Sequence, residues 1–243
     1  MTWAVVFGAA VLASTAQTVA GFGFALIAVP LFVMVLTVPE AVGTVALLSF
    51  VNVVTVARSV RGHVPWPTVR FLLLGSLCAM PFGLSLLLSV SGDTLRIVVS
   101  SVSIFMAIAI GLGFTIRVAR PGGAFGVGIV SGLLCTSVAI NGPPVVLFLQ
   151  AQRFSPEVFR AGISTFFMLN GIVSISLLVW AGVVNLESVR TGATVLPALL
   201  VGYWLGHRLL PRFSAETFRR FVLALLVLSA STSLLDSLVR SLG

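Results

Sequence analysis

Four side-chain amides, Gln17, Asn52, Asn141 and Asn170, stand in otherwise apolar stretches of the chain. An amide in hydrocarbon costs several kcal/mol unless it finds a hydrogen-bond partner, so each needs either a neighbour or a polar guest. Gln17 lies just before Gly21-Phe22-Gly23, and Asn141 opens Asn141-Gly142-Pro143-Pro144. Both stretches weaken a helix: glycine costs about 1 kcal/mol against alanine, and each proline removes a backbone donor and clashes with the preceding turn. A helix that restarts after a break aims unpaired N–H groups and the positive end of its dipole at whatever lies before it. Anions bind such ends. In this reading Gly21, Gly23 and Gly142 allow close backbone approach, Pro143 and Pro144 keep the second break open, and the amides orient the oxygens of the guest. Asn52 and Asn170, 118 positions apart in mid-run, either close the cavity wall or link helices. Ser14, Thr15, Thr18, Ser131, Thr136 and Ser137 add neutral hydroxyls beside the breaks, although such groups more commonly help helices pack in lipid.

The other chemistry-bearing residues point away from catalysis. The acids Glu40, Asp93, Glu157, Glu187, Glu216 and Asp236 all fall at the ends of apolar runs, which leaves no buried carboxylate relay of the kind pumps use. Glu40 in Thr37-Val38-Pro39-Glu40 and Glu157 in Ser155-Pro156-Glu157 read as helix starts: a cap residue, a first-turn proline and an acid suited to the dipole. His63 and His207 are isolated and read as interfacial residues rather than metal ligands. Cys78 and Cys135 sit in apolar runs without a CxxC spacing and read as small buried hydrophobes. With no nucleophile–base pair, phosphate loop or metal spacing, the sequence predicts no enzyme, no cofactor and no metal site.

The elements that must position these residues are membrane helices. Of 243 residues, 58% are hydrophobic and only 8% charged, and the mean hydropathy is +1.18. Soluble domains carry about 25% charged residues, so the solvent here is lipid. A helix needs roughly 20 apolar residues to cross a bilayer core, which leaves room for about eight spans and no soluble enzyme domain. The net charge of +8 comes from 14 basic residues, all arginine, scattered between apolar runs. That is an orientation signal, and nucleic acid is not an expected partner. The N-terminus lacks the charged region and cleavage site of a signal peptide and is expected to belong to the mature protein.

The apolar runs are 1–37, 39–57, 66–90, 94–116, 123–151, 157–181, 187–207 and 217–239. Runs 1–37 and 123–151 hold the breaks, and they correspond because the chain repeats. Segment 62–70 echoes 182–190, Asp93-Thr94-Leu95-Arg96 echoes Glu216-Thr217-Phe218-Arg219, and a shift of 118 lays 21–25 over 139–143. Two halves of one membrane domain follow, 1–118 and 119–243. If every run crossed once, the arginines would split evenly. If the two broken runs instead enter and leave by one face, eleven share a side (Arg58, Arg61, Arg70, Arg117, Arg120, Arg153, Arg160, Arg208, Arg212, Arg219 and Arg220) and three lie opposite (Arg96, Arg190 and Arg240). The positive-inside rule favours the second arrangement.

One hairpin plus three crossings per half is an odd number of traversals, so the halves are expected to face opposite ways with both termini outside the cytoplasm. The fold class is therefore an all-α integral membrane protein with two inverted-topology repeats, each a broken or re-entrant helical hairpin followed by three transmembrane helices. Inverted repeats with matching broken helices signal a secondary transporter whose site lies near the midplane.

The residues also carry a family resemblance. The stretch from Gln17-Thr18-Val19-Ala20-Gly21-Phe22-Gly23-Phe24 to Pro30-Leu31, and Asn141-Gly142-Pro143-Pro144-Val145-Val146 with Phe159-Arg160-Ala161, resemble the two signatures of the TauE/SafE sulfite exporter family. The resemblance covers nearly the whole chain. It implies a bacterial inner-membrane carrier that moves a small sulfur oxyanion or organosulfonate outward, and Gly21, Gly23, Pro30, Asn141, Gly142, Pro143 and Pro144 match its pattern. Ala139 and Ile140 stand where many members look more Gly-rich.

The reading that results is an anion transporter working by alternating access. Its guest is held by backbone N–H groups near 21–25 and 141–145, and by Gln17, Asn52, Asn141 and Asn170. Arg58 and Arg160, near the cytoplasmic ends of their spans, are placed to attract an anion at the mouth, though orientation signalling alone accounts for them. Its partners are the small anion and the lipid bilayer, with a homodimer left open. A passive anion channel and a membrane subunit of a larger complex are the rival readings.

Overall fold

A computed structural model describes residues 2–57, 63–116 and 121–209. Arg58 and the last apolar run, 217–239, lie outside the described residues. All regular structure among the described residues is helical: α1 (Thr2–Ala20), α2 (Phe24–Phe32), α3 (Val38–Ala57), α4 (Trp66–Ser89), α5 (Gly92–Gly111), α6 (Pro121–Val138), α7 (Gly142–Ala151), α8 (Pro156–Trp180) and α9 (Leu186–Leu209). By length and composition α3, α4, α5 and α8 can each cross a membrane.

Both expected breaks are present. α1 ends at Ala20, where Gly21 (φ 82°) and Gly23 (φ 107°) take left-handed backbone, and α6 ends at Val138, where Ala139 does the same at φ 58°. The helices that follow are short. At 1.5 Å per residue, α2 and α7 are about 14 and 15 Å long, half of a bilayer core of about 30 Å. They survive there because protein surrounds them: seven of nine α2 residues and seven of ten α7 residues are buried, as irregular backbone at membrane depth requires.

The helix starts follow their sequence signals. Glu40 Oε2 accepts from Thr37 N (2.9 Å) and from Thr37 Oγ1 (2.8 Å), the reach-back half of a capping box. Ser155 Oγ accepts from Val158 N at 3.4 Å to begin α8. The apolar run expected to continue to residue 116 stops being helical at Gly111. Gly113 turns the chain (φ 68°), and Ile116 N then donates to Leu147 O of α7 at 3.1 Å. Hydropathy alone did not register that turn.

Two helix pairs pack most extensively. α1 lies along α9, and α4 lies along α6. In the second pair a Cβ added at Gly128 would overlap the carbonyl of Leu72, and one at Gly132 the carbonyl of Ser76, while Thr136 Oγ1 donates to Met80 O at 2.6 Å. In the first pair Gly202 abuts Val11 and Ser14, Gly206 abuts Thr15 and Thr18, and Ser14 Oγ donates to Leu199 O at 2.7 Å. Residue numbers rise together in both pairs, so both are parallel. Small residues four apart permit this approach. Between the pairs α3 packs on α8, where a Cβ at Gly171 would come within 2.8 Å of the Phe50 ring. The start of α4 meets the start of α8, with Gly162 against Pro65.

Candidate functional site

The two breaks face one cavity. Its walls are Gln17 at the end of α1, residues 22–26 of the first break and α2, Ala46, Ser49, Phe50 and Val53 of α3, Cys135 and residues 139–143 of the second break, and Phe167, Gly171 and Ser174 of α8. Open mouth and adjoining solvent included, the empty space is about 640 Å³. The α3 and α8 residues lie around the middle of those helices. None of the described lining residues carries a formal charge, so an anion entering here must be compensated by dipoles and neutral donors.

Two of the four amides are available for that. The side chain of Gln17 is 4% exposed and makes no hydrogen bond to the described protein, and Asn141 precedes α7 without capping it. The hydroxyls near the breaks are not available. Ser14 and Thr15 donate to α9 carbonyls, Thr18 to Ser14 O, Ser131 to Asn141 O, Thr136 to Met80 O and Ser137 to Leu133 O. They satisfy backbone, which is the commoner role of such groups in lipid.

Asn52 and Asn170 are outside the cavity wall and fully buried. Asn170 Oδ1 accepts from Ser76 Oγ of α4 at 2.6 Å, and its Nδ2 approaches Cys135 Sγ of α6 at 3.3 Å. Asn52 Nδ2 donates to Ser14 Oγ of α1 at 3.3 Å, while its Oδ1 has no partner. Asn52 thus ties α3, and Asn170 ties α8, to one of the parallel pairs, which is the helix-linking alternative. Gly21 and Pro144 also lie outside the wall; Gly23, Gly142 and Pro143 are within it. Arg160, half-buried in the first turn of α8, is seven residues from Phe167, about 10 Å along the helix, and does not line the cavity.

The backbone donors are unequal. α2 is capped by Gly23, and its first helical bond runs from Ile27 N to Gly23 O at 3.2 Å, so the N–H groups of Phe24, Ala25 and Leu26 have no partner among the described residues. All three residues line the cavity. In α7 the same three positions are Gly142, Pro143 and Pro144, and proline has no N–H. The two breaks therefore differ in their N–H sets: α7 keeps its dipole but, of these three positions, only the Gly142 donor. The wall residues of α3 and α8 escaped sequence reasoning, Ser49 and Ser174 among them. Ser49 Oγ is buried without a partner, and nothing around Ser49 in its apolar run distinguishes it from a packing serine.

With this geometry in place, comparison with known proteins is decisive for the family. The sulfite exporter TauE/SafE family model matches residues 6–232. The chain belongs to the TauE/SafE family. It is also similar to the probable sulfite/organosulfonate exporter TauE of Cupriavidus necator, with 27% identity over 219 residues that cover 87% of this chain and 85% of the relative. No solved structure matches it. Membership of an exporter family agrees with the apolar helices in making this TauE/SafE member a multi-pass membrane protein.

Proposed function

We propose that this TauE/SafE protein exports a small sulfur oxyanion or organosulfonate across the bacterial inner membrane by alternating access, with the anion held between the two broken elements near the midplane. The observation that carries this reading is the cavity shared by both breaks, on whose walls lie the Gln17 amide and three N–H groups of α2, none with a partner among the described residues, and the Asn141 side chain. A helix start with several free donors is a natural anion seat. The name of the Cupriavidus relative supports the sulfur chemistry.

The halves 1–118 and 119–243 are read as inverted repeats. In support, the first helix of each half runs parallel to the fourth helix of the other, α1 with α9 and α6 with α4. α3 must end, and α8 begin, on the side where α4 begins, because Pro65 meets Gly162. α1 and α3 then run one way and α6 and α8 the other, so α1 begins on the face read as periplasmic, where α8 ends. Alternating access is a rocking of the two parallel pairs about the α3–α8 contact. Arg160 and Arg58 act at the cytoplasmic mouth.

The test is sulfite flux into liposomes containing the purified protein. The wild type should show saturable uptake with counterflow, and Asn141→Ala should lose about tenfold or more, as expected for a hydrogen bond to a charged group worth about 1.5–3 kcal/mol. Flux linear in concentration and without counterflow would favour a channel. Flux unchanged in Asn141→Ala would move the site elsewhere.

A further inference from the structure

The charges of the described chain are kept away from the cavity. The four described acids open helices: Glu40 is in the first turn of α3, Asp93 of α5, Glu157 of α8 and Glu187 of α9. Arg70, Arg96, Arg160 and Arg190 follow the same rule, each the fifth residue of its helix. The described cavity wall holds dipoles instead: the Gln17 and Asn141 amides, the N–H groups that open α2, and the Ser174 hydroxyl, which donates to Gly171 O. The titratable side chain on that wall, Cys135, is contacted by the Asn170 amide and behaves as a small neutral hydrophobe.

Dipoles and fixed charges allow different transport cycles. A wall with a fixed charge resists changing faces while empty, because a buried charge without its partner is strongly penalised, and such a carrier has to exchange one ion for another. A wall of dipoles carries no such penalty and reorients empty. In the loaded state the dipoles solvate the anion without cancelling its charge, so the charge travels with it. We infer that the protein is a uniporter driven by the membrane potential: it returns empty, and each export cycle moves the negative charge of the guest out of the cell with no proton or counter-ion bound to the protein. The inside-negative potential of a bacterial membrane acts in the direction of export. For a monoanion, 100 mV sustains an outside-to-inside ratio of about 50-fold, equivalent to about 2.3 kcal/mol per charge. This inference rests on the anion-transport reading and adds to it what drives the export.

The experiment uses the purified full chain in liposomes loaded with sulfite, at equal pH on both sides, with the potential set by a potassium gradient and valinomycin. With the potential held at zero, sulfite should leave into sulfite-free medium, since the empty carrier returns unaided. Without valinomycin the same efflux should slow as the vesicle charges, and an inside-negative potential should shift the steady distribution by about tenfold per 60 mV for each negative charge carried. Ala46→Arg sets a permanent charge on the wall. Its net efflux should fall by about tenfold or more, because an unpaired charge must then cross, while exchange of sulfite for sulfite continues. Efflux that requires sulfite outside would make the protein an exchanger, and efflux indifferent to valinomycin would mean that a compensating ion crosses too. Either result overturns the uniport while the exporter reading stands, as does a folded Ala46→Arg protein with unchanged net efflux. If that variant does not fold, the wild-type measurements decide alone. Folded wild-type protein that moves no sulfite under any of these conditions would remove the exporter reading itself.

Discussion

Gly21 and Ala139, 118 positions apart, hold the same left-handed backbone, φ 82° and 58°, just past the ends of α1 and α6. The conformation recurs because each half must stop its first helix and begin a short one within three residues. Glycine adopts it freely, whereas an alanine there costs roughly 1–2 kcal/mol. A Cβ at Gly21 would meet nothing within 4 Å, so backbone strain is the whole cost of substituting it. Gly21→Ala should therefore destabilise the protein by about 1–2 kcal/mol, and Ala139→Gly should stabilise it by up to about 1 kcal/mol, since relief of strain is partly offset by unfolded-state entropy. Melting in detergent checks the pair. Shifts of the same sign in both variants would show that left-handed backbone does not set these breaks.

The close approach of α4 and α6 gives a second prediction. A side chain at Gly132 collides with the Ser76 backbone, which cannot move aside as a flexible side chain would. Gly132→Leu should cost about 3 kcal/mol, the upper end of usual overpacking penalties, and reduce folded yield. Gly126→Ala in the same helix, where a Cβ meets nothing within 4 Å, should be neutral or gain up to about 1 kcal/mol from helix propensity. Equal yields of the two proteins by size-exclusion chromatography would contradict the packing argument.

The features legible in the sequence were those whose signal is chemical punctuation. Gly21-Phe22-Gly23 and Asn141-Gly142-Pro143-Pro144 marked both breaks because no run of ordinary helix formers contains them. Thr37 with Glu40, and Ser155, marked helix starts because caps need those atoms. The sequence was silent where meaning depends on a neighbour far along the chain. Thr136 and Ser49 are both hydroxyl residues in apolar stretches, and only the position of Met80 O against the one, and the cavity against the other, separates a structural hydroxyl from a free one. The packing glycines were invisible for the same reason. Pro143 and Pro144 carry two signals at once: the residues that break the helix also remove two of the N–H donors that the break would otherwise offer.

Asn52 and Asn170 are equivalent in position but not in bonding, and substitution should expose this. Asn170→Leu leaves Ser76 Oγ without the acceptor it meets at 2.6 Å. A cost of about 1–2 kcal/mol is expected, near the upper range for side-chain hydrogen bonds between membrane helices. Asn52→Leu removes one 3.3 Å bond together with an oxygen already lacking a partner. Replacing an incompletely satisfied polar group with an apolar one of similar size is nearly neutral, so its melting temperature should match the wild type. A larger loss at Asn52 than at Asn170 would mean that Asn52 Oδ1 has a partner in the working protein, and would return Asn52 to the cavity wall.

The proposed inverted arrangement makes a prediction about sidedness that is independent of transport. Glu157 and Glu187 are both exposed, at the start of α8 and of α9. α8 has the length of one crossing, 25 residues, or about 37 Å, so the two positions must lie on opposite faces. Arg153 and Arg160 flank Glu157, whereas Arg190 alone is near Glu187, which assigns Glu157 to the cytoplasm. The exposed Cys78 would confuse labelling, so the background should be Cys78→Ser. In intact cells, Glu187→Cys should react with a thiol reagent that cannot cross the inner membrane, and Glu157→Cys should react only after lysis. The opposite pattern would invert the whole protein while leaving the repeat intact. Labelling of both before lysis would mean that α8 does not cross, and the count of one hairpin and three crossings per half would fail with it.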